Sequence, residues 1–161
     1  MKKIITLVCL IALGVSLCQA QTRKGEMAVG AKMVYGSWVK SLGLGGRFQY
    51  GLLDQVRLEG DFDIFFKHDG KSCADLDLNA HYLLGLWRNQ LNLYPIVGLN
   101  YTIASRTVNG VKDDENHLGL NLGAGIEYEI TPHWAGVFEY RHTVVKRVNQ
   151  GIIALGVNYK F

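Results

Sequence analysis

The sequence predicts an all-β fold, an eight-stranded antiparallel up-and-down barrel, and three observations predict it. Eight segments alternate apolar and polar side chains with a period of two. The connections between them alternate between short and long. Beyond residue 20 no window stays apolar for the about 20 residues that a spanning helix needs, so any membrane crossing falls to strands.

The first segment runs over about 26–36, with Met27, Val29, Ala31, Met33 and Tyr35 on one face and Lys32 on the other. In the second, about 42–51, Leu42, Leu44, Phe48 and Tyr50 oppose Arg47 and Gln49. The third, 56–67, sets Val56, Leu58, Phe62, Ile64 and Phe66 against Arg57, Glu59, Asp61 and Asp63. The fourth, about 75–88, sets Leu76, Leu78, Ala80, Tyr82, Leu84 and Leu86 against Asp75, Asp77, Asn79 and His81. The fifth, about 93–105, carries Val97, Leu99, Tyr101 and Ile103 opposite Asn100 and Thr102, with Pro95 near its start, where a missing donor is tolerated. The sixth, about 117–130, opposes Leu118, Leu120, Leu122, Ile126 and Tyr128 to Asn121, Glu127 and Glu129. The seventh, about 134–144, opposes Trp134, Phe138 and Tyr140 to Glu139, Arg141 and Thr143. The last, about 150–161, opposes Ile153, Leu155, Val157, Tyr159 and Phe161 to Asn158 and Lys160.

Tight connections are expected at 52–55, 89–92 and 131–133, and longer polar loops at 67–74 and 106–116. With an even strand count, the tight turns share one end with both termini, as in membrane barrels with short inner turns and longer outer loops.

Residues 1–20 read as a secretory signal peptide: Lys2 and Lys3, an apolar run over 4–17, then Cys18-Gln19-Ala20 with small residues at the cleavage positions. The run is short for a membrane anchor. Val8 and Leu17 before Cys9 and Cys18 do not suit lipid attachment. Cleavage after Ala20 leaves residues 21–161 as one domain, and loss of Lys2 and Lys3 lowers the formal charge from +3 to +1. That balance argues against nucleic acid as a partner. Cys73 then stands alone, so no internal disulfide is expected in an exported chain.

The two faces decide which side meets water. The polar phase collects Lys32, Arg47, Arg57, Arg141 and Lys160 with Glu59, Asp61, Asp63, Asp75, Asp77, Glu127, Glu129 and Glu139. The apolar phase holds no Asp, Glu or Lys, and its Arg88 and His142 stand near strand ends. Lipid enforces such cleanness, because Arg or Lys at the midplane of a barrel wall costs about 2–4 kcal/mol. Glycines 43, 45, 98, 119, 123, 125 and 156 share the polar phase with long charged side chains, as expected where an eight-stranded interior has room only for its own side chains. Aromatic residues of the apolar phase gather towards strand ends. Tyr50, Tyr128, Trp134, Tyr159 and Phe161 lie at the tight-turn end, and Tyr35, Phe66, Tyr101 and Tyr140 at the other, as two interfacial girdles would. The expectation is therefore a transmembrane barrel with its charges inside.

A leader, an eight-strand ladder and a final strand Ile-Ala-Leu-Gly-Val-Asn-Tyr-Lys-Phe ending on an aromatic residue resemble the small outer-membrane barrels related to OmpX and the OmpA membrane domain. Tyr94-Pro95-Ile96-Val97-Gly98 also resembles their Tyr-Pro-x-x-Gly strand. The resemblance implies a Gram-negative outer membrane and surrounding lipid, with a monomeric barrel. It also implies periplasmic chaperones and the barrel-assembly machinery as partners in biogenesis, the latter reading Val157, Tyr159 and Phe161.

Several function classes compete. The interior charges either neutralise one another as a plug or line a narrow pore. Arg47, Arg57 and Arg141 are the expected hubs, because one guanidinium bridges several carboxylates. A lipid-modifying enzyme would need a Ser and His pair. Ser37, Ser41, Ser72 and Ser105 stand in loops or at strand ends, and His68, Asp69 and Ser72 share one loop in which solvation is the plainer account. Asp75, Asp77 and His81 share a phase because that face is polar, so no metal and no cofactor are expected. A soluble lipocalin-like carrier would place the apolar phase inside; Gly36-Ser37-Trp38 matches its Gly-x-Trp motif but falls at a strand's end. The expected role is structural or surface-interacting (adhesion or host contact), with loop 106–116, including Lys112, Asp113, Asp114 and Glu115, as the contact for an extracellular partner.

Overall fold

Period-two patterning becomes nine strand segments: β1 (Met27–Gly36), β2 (Ser41–Leu53), β3 (Val56–His68), β4 (Lys71–Tyr82), β5 (Leu84–Leu86), β6 (Leu91–Val108), β7 (Val111–Glu129), β8 (Trp134–Val144) and β9 (Gln150–Lys160). The computed structural model describes residues 24–68, 71–86, 90–108, 111–144 and 149–161, and only the backbone of residues 68, 71, 106–108 and 111–115. The expected leader 1–20, Asp69 and Arg88 lie outside the described residues.

Every pairing is antiparallel between sequence neighbours, except that β1 pairs with β9 and β4 pairs with β6. The first of these closes the ring. β5 continues β4 along the same partner, β6, after a break at Leu83. There the Leu83 N–H leaves the ladder to donate to the Gln55 carbonyl at 2.8 Å. Nine segments thus form eight staves, and closure leaves no sheet edge around the wall.

The pleat fixes the faces. In β3, Leu58, Phe62, Ile64 and Phe66 are exposed while Arg57, Glu59, Asp61 and Asp63 are buried. The same holds around the ring, so the barrel carries its greasy side outward and its charges inward. This orientation excludes a carrier with an apolar cavity. Among the described residues no helix is long and apolar enough to cross a membrane.

Two expected loops are corrected. β3 and β4 run on until His68 pairs with Lys71, and β6 and β7 until Val108 pairs with Val111. Segments 67–74 and 106–116 are therefore largely strand, leaving Asp69-Gly70 and Asn109-Gly110 between strand ends. Asp-Gly and Asn-Gly are strong hairpin signals in sequence, and ladders that run up to His68–Lys71 and Val108–Val111 agree with that signal rather than with the polarity that suggested long loops.

At that same hairpin end the β1–β2 turn folds over the mouth. Lys40, at φ 54°, reverses the chain, and its N–H donates to the Gly36 carbonyl at 2.8 Å. The Gly151 N–H donates to Ser37 Oγ at 2.8 Å, tying the turn to β9. Val39 is thereby buried with Val34, Phe65, Cys73, Ile152 and Ala154, and Trp38 packs against this cluster.

Candidate functional site: the barrel interior

Inward positions on all staves converge on one narrow space. Ion pairs fill it in overlapping tiers. At the tight-turn rim Lys160 Nζ lies 2.8 Å from Glu129 Oε1 and 3.0 Å from Glu127 Oε1. Glu127 also holds Arg57, whose Nη1 is 2.7 Å from Oε2. Further in, Arg47 forks onto both oxygens of Glu139 at 2.8 Å, and it approaches Glu59 at 3.4 Å and Asp61 at 3.7 Å. In the next tier Lys32 meets Asp61 at 2.9 Å and Asp63 at 3.2 Å. Arg141 spans three carboxylates there: Asp61 at 2.8 Å, Asp63 at 2.7 Å and Asp77 at 2.9 Å.

Neutral groups take up the oxygens that cations leave. Asn100 and Asn121 donate to Asp77 at 2.6 and 2.8 Å. Asp75 has no cation within ion-pair distance among the described residues and accepts instead from Thr102 Oγ1 at 2.7 Å and Gln150 Nε2 at 2.9 Å. Such partners matter because a buried carboxylate with spare lone pairs is costly. Asp61, Asp63, Asp75, Glu127, Glu139 and the three arginines are all at most 5% exposed.

Glu129 is the exception within the expected interior set. As the last residue of β7 it sits at the rim, with its side chain 32% exposed. Its neighbours Glu127 and Lys160 anchor it there.

Tyr94 organises the tight-turn half. Its hydroxyl donates to Glu139 Oε1 at 2.7 Å. Its ring stacks on His81 at 4.7 Å, with the Arg57 guanidinium over it at 5.0 Å, a cation–π arrangement. A Cβ on Gly125 would overlap this ring, so the glycine makes the ring's space. Leu83, Ile96 and Val137 join Tyr94 in a second buried apolar cluster. The charged tiers thus have apolar packing at the hairpin mouth and more beside the tight-turn end. Strict alternation already places Tyr94, His81 and the inward amides in the polar phase. Alternation gives their side of the wall but not what they touch there, because those contacts come from other staves.

Glu59, His81 and Glu139 bring ligand-type atoms within 4.8 Å of one another. The chemistry around them opposes a cation. Arg57 Nε donates to His81 Nδ1 at 3.4 Å, and a guanidinium only donates, so His81 carries its proton on Nε2, which faces Glu59 Oε1 at 3.5 Å. Arg47 already occupies Glu139. Asp75 and Asp77 do not join His81, which lies with Glu59 instead. Ser37 and Ser41 serve backbone contacts, and His142 lies on the outward phase of β8.

On the outer wall Tyr35, Tyr50, Tyr101, Tyr128, Trp134 and Tyr140 are all exposed. So are Val157, Tyr159 and Phe161 of the last stave. Trp134 meets Tyr159 edge-on at 5.1 Å, and Tyr159 stacks with Phe161 at 6.4 Å. These rings form a continuous aromatic patch where interfacial anchoring is favourable.

The outer membrane protein beta-barrel domain family matches residues 5–161. No curated protein sequence matches the chain. Among solved structures, the N-terminal β-barrel domain of Pseudomonas aeruginosa OprF superposes with a TM-score of 0.71 at 18% identity, covering 86% of this chain and 98% of that one. Neisserial surface protein A gives 0.65 at 19% identity, with 86% and 98% covered. Ail, the attachment invasion locus protein of Yersinia pestis, gives 0.64 at 18% identity, with 86% and 100% covered. At such identities the superpositions speak for the fold alone. The family match spans nearly the whole sequence and agrees with a closed wall that is apolar outside and charged inside: this chain belongs to the outer-membrane β-barrel domain family.

Proposed function

We propose that this barrel is a surface-interaction protein of the outer membrane whose interior is filled and does not conduct. The observation that carries the reading is the unbroken stack of buried ion pairs from Lys160 to Arg141, with apolar packing over Asp75 at the hairpin mouth. A filled core leaves neither a path for solutes nor a pocket for a substrate, and we assign it no catalytic chemistry. What remains for function is the part beyond the wall. β6 and β7 have 18 and 19 residues against 10 to 13 for β1, β2, β3, β4, β8 and β9. The β6–β7 hairpin runs nine residues past the last described β8 rung, Leu120 with Val144, about 30 Å along the strand, but only two residues past the last β4 rung, Lys71 with Arg106. Ail, a structural neighbour, is named for attachment and invasion. That name points the same way.

On this reading residues 1–20 are a cleaved export signal, and periplasmic chaperones escort the chain. The outward aromatic residues Tyr159 and Phe161, with Val157, are what the assembly machinery recognises, and lipid surrounds a monomer. Planar-bilayer recording of the refolded chain tests the filled interior. No steady openings are expected, and large steady openings would overturn the reading in favour of a narrow pore.

A further inference from the structure

Beneath the apolar cover of the hairpin mouth, three short contacts join two carboxyls into one chain. Asp75 Oδ1 lies 2.7 Å from Thr102 Oγ1, Thr102 Oγ1 lies 2.6 Å from Asn100 Oδ1, and Asn100 Nδ2 lies 2.6 Å from Asp77 Oδ1. With both carboxyls ionised, two protons serve these three contacts. Thr102 owns a single hydroxyl proton, and the Asn100 amide donates on one side only. Turning the Asn100 amide moves the shortage to Asp77 without removing it. Buried oxygens at such a distance with no proton between them repel, and neither is satisfied.

We propose that this chain is a proton-binding site and that Asp75 Oδ1 holds the proton. The Asp75 acid then donates to Thr102 Oγ1, the reverse of the pairing that an ionised Asp75 makes, and Thr102 donates on to Asn100 Oδ1. Each contact gains its proton, and the successive bonds polarise one another. Asp77 is the poorer holder. Arg141 Nη2 at 2.9 Å and Asn121 Nδ2 at 2.8 Å both donate to it, as suits a carboxylate. The other contacts of Asp75 are neutral: Gln150 Nε2 at 2.9 Å and the Cys73 thiol at 3.5 Å.

The charge balance of the interior agrees independently. Among the described residues, the buried side chains include five Lys or Arg and seven Asp or Glu. Surplus buried carboxylate is costly, and a proton on Asp75 removes one unit of it where no cation stands. The titratable and charged groups facing Asp75 are Asp63 of β3, Cys73 and Asp77 of β4, and Arg141 of β8. His117 of β7 follows Thr102 along the same rung. Arg141 is engaged by Asp61, Asp63 and Asp77. A metal ion fits the chain less well than a proton. Neighbouring oxygens around even a small octahedral cation, bound at about 2.1 Å, stand about 3 Å apart. Those of Asp75, Thr102 and Asn100 are closer.

Infrared difference spectra of the refolded chain in lipid vesicles test the assignment at about pH 5, where an ordinary Asp is largely ionised. Parent minus Asp75→Asn is expected to leave one carboxylic-acid C=O band that shifts in D2O. A difference spectrum without that band, or a band that Asp77→Asn removes and Asp75→Asn leaves, would overturn it. Asn presents N–H and C=O where the acid presents O–H and C=O, so Asp75→Asn is expected to fold, and failure to fold would also count against the proposal. Stability supplies a second readout. A chain that holds a proton when folded and releases it when unfolded loses stability as pH rises. The unfolding constant of the parent relative to Asp75→Asn is therefore expected to rise at least tenfold between about pH 5 and about pH 9. A ratio that stays flat across that range would overturn the proposal.

Discussion

Arg141→Met is expected to cost about 3–5 kcal/mol of barrel stability, the range seen when one partner of a buried ion pair is removed. Arg141 touches Asp61, Asp63 and Asp77 from one guanidinium. Methionine fills much of the same length without the charge. Asp61 and Asp63 keep Lys32, but Asp77 is left with only the amides of Asn100 and Asn121. The deficit therefore concentrates on Asp77, and adding Asp77→Asn to Arg141→Met should restore part of the loss. Urea midpoints of the two variants and the parent in lipid vesicles measure both effects. A loss below about 1 kcal/mol for Arg141→Met would mean that water reaches the tier and solvates the stranded carboxylates, as at exposed pairs.

Phe62→Arg is expected to cost about 2–4 kcal/mol, the range for arginine at the bilayer midplane on a barrel wall. Phe62 is exposed on β3, between Leu58 towards the tight turn and Phe66 towards the hairpin end. It is thus the stave's midpoint, farthest from either girdle. Leu58→Arg, beside Tyr50 in register, lies close to the interface, where the same substitution costs about 0–1 kcal/mol. Refolding yield and urea midpoint in vesicles should follow this depth order. Equal effects at both positions would argue against a wall that spans lipid.

Much of this architecture was legible because alternation is a two-valued code. Once β3 placed Asp61 inward and Phe62 outward, the register with β2 and β4 carried the same phase to Arg47 and Asp77. Pairing partners across the core were not legible. Arg47 meets Glu139 and Arg141 meets Asp61 across 92 and 80 residues of sequence, and only barrel closure brings them together. Alternation also says which face a residue joins but not what lies there. Phe65 and Ile152 occupy inward positions yet form the apolar cover at the mouth, because charged tiers already fill the space beneath. Strand lengths failed for a different reason. Polar residues such as Lys112 and Asp113 look like loop, but beyond the membrane a strand needs no apolar face, so its backbone pairing with Thr107 and Arg106 left no hydrophobic trace.

Cys73 offers the most direct measurement of whether the core is closed. It is the free cysteine of the described residues, 4% exposed, inside the hairpin-end cluster with Val39 above and Asp75 below, to which its Sγ donates at 3.5 Å. The folded chain in micelles, treated with a charged, water-soluble maleimide, is expected to leave Cys73 unlabelled over hours and to label fully within minutes once unfolded in urea. Rapid labelling of the folded barrel would contradict a sealed, filled interior.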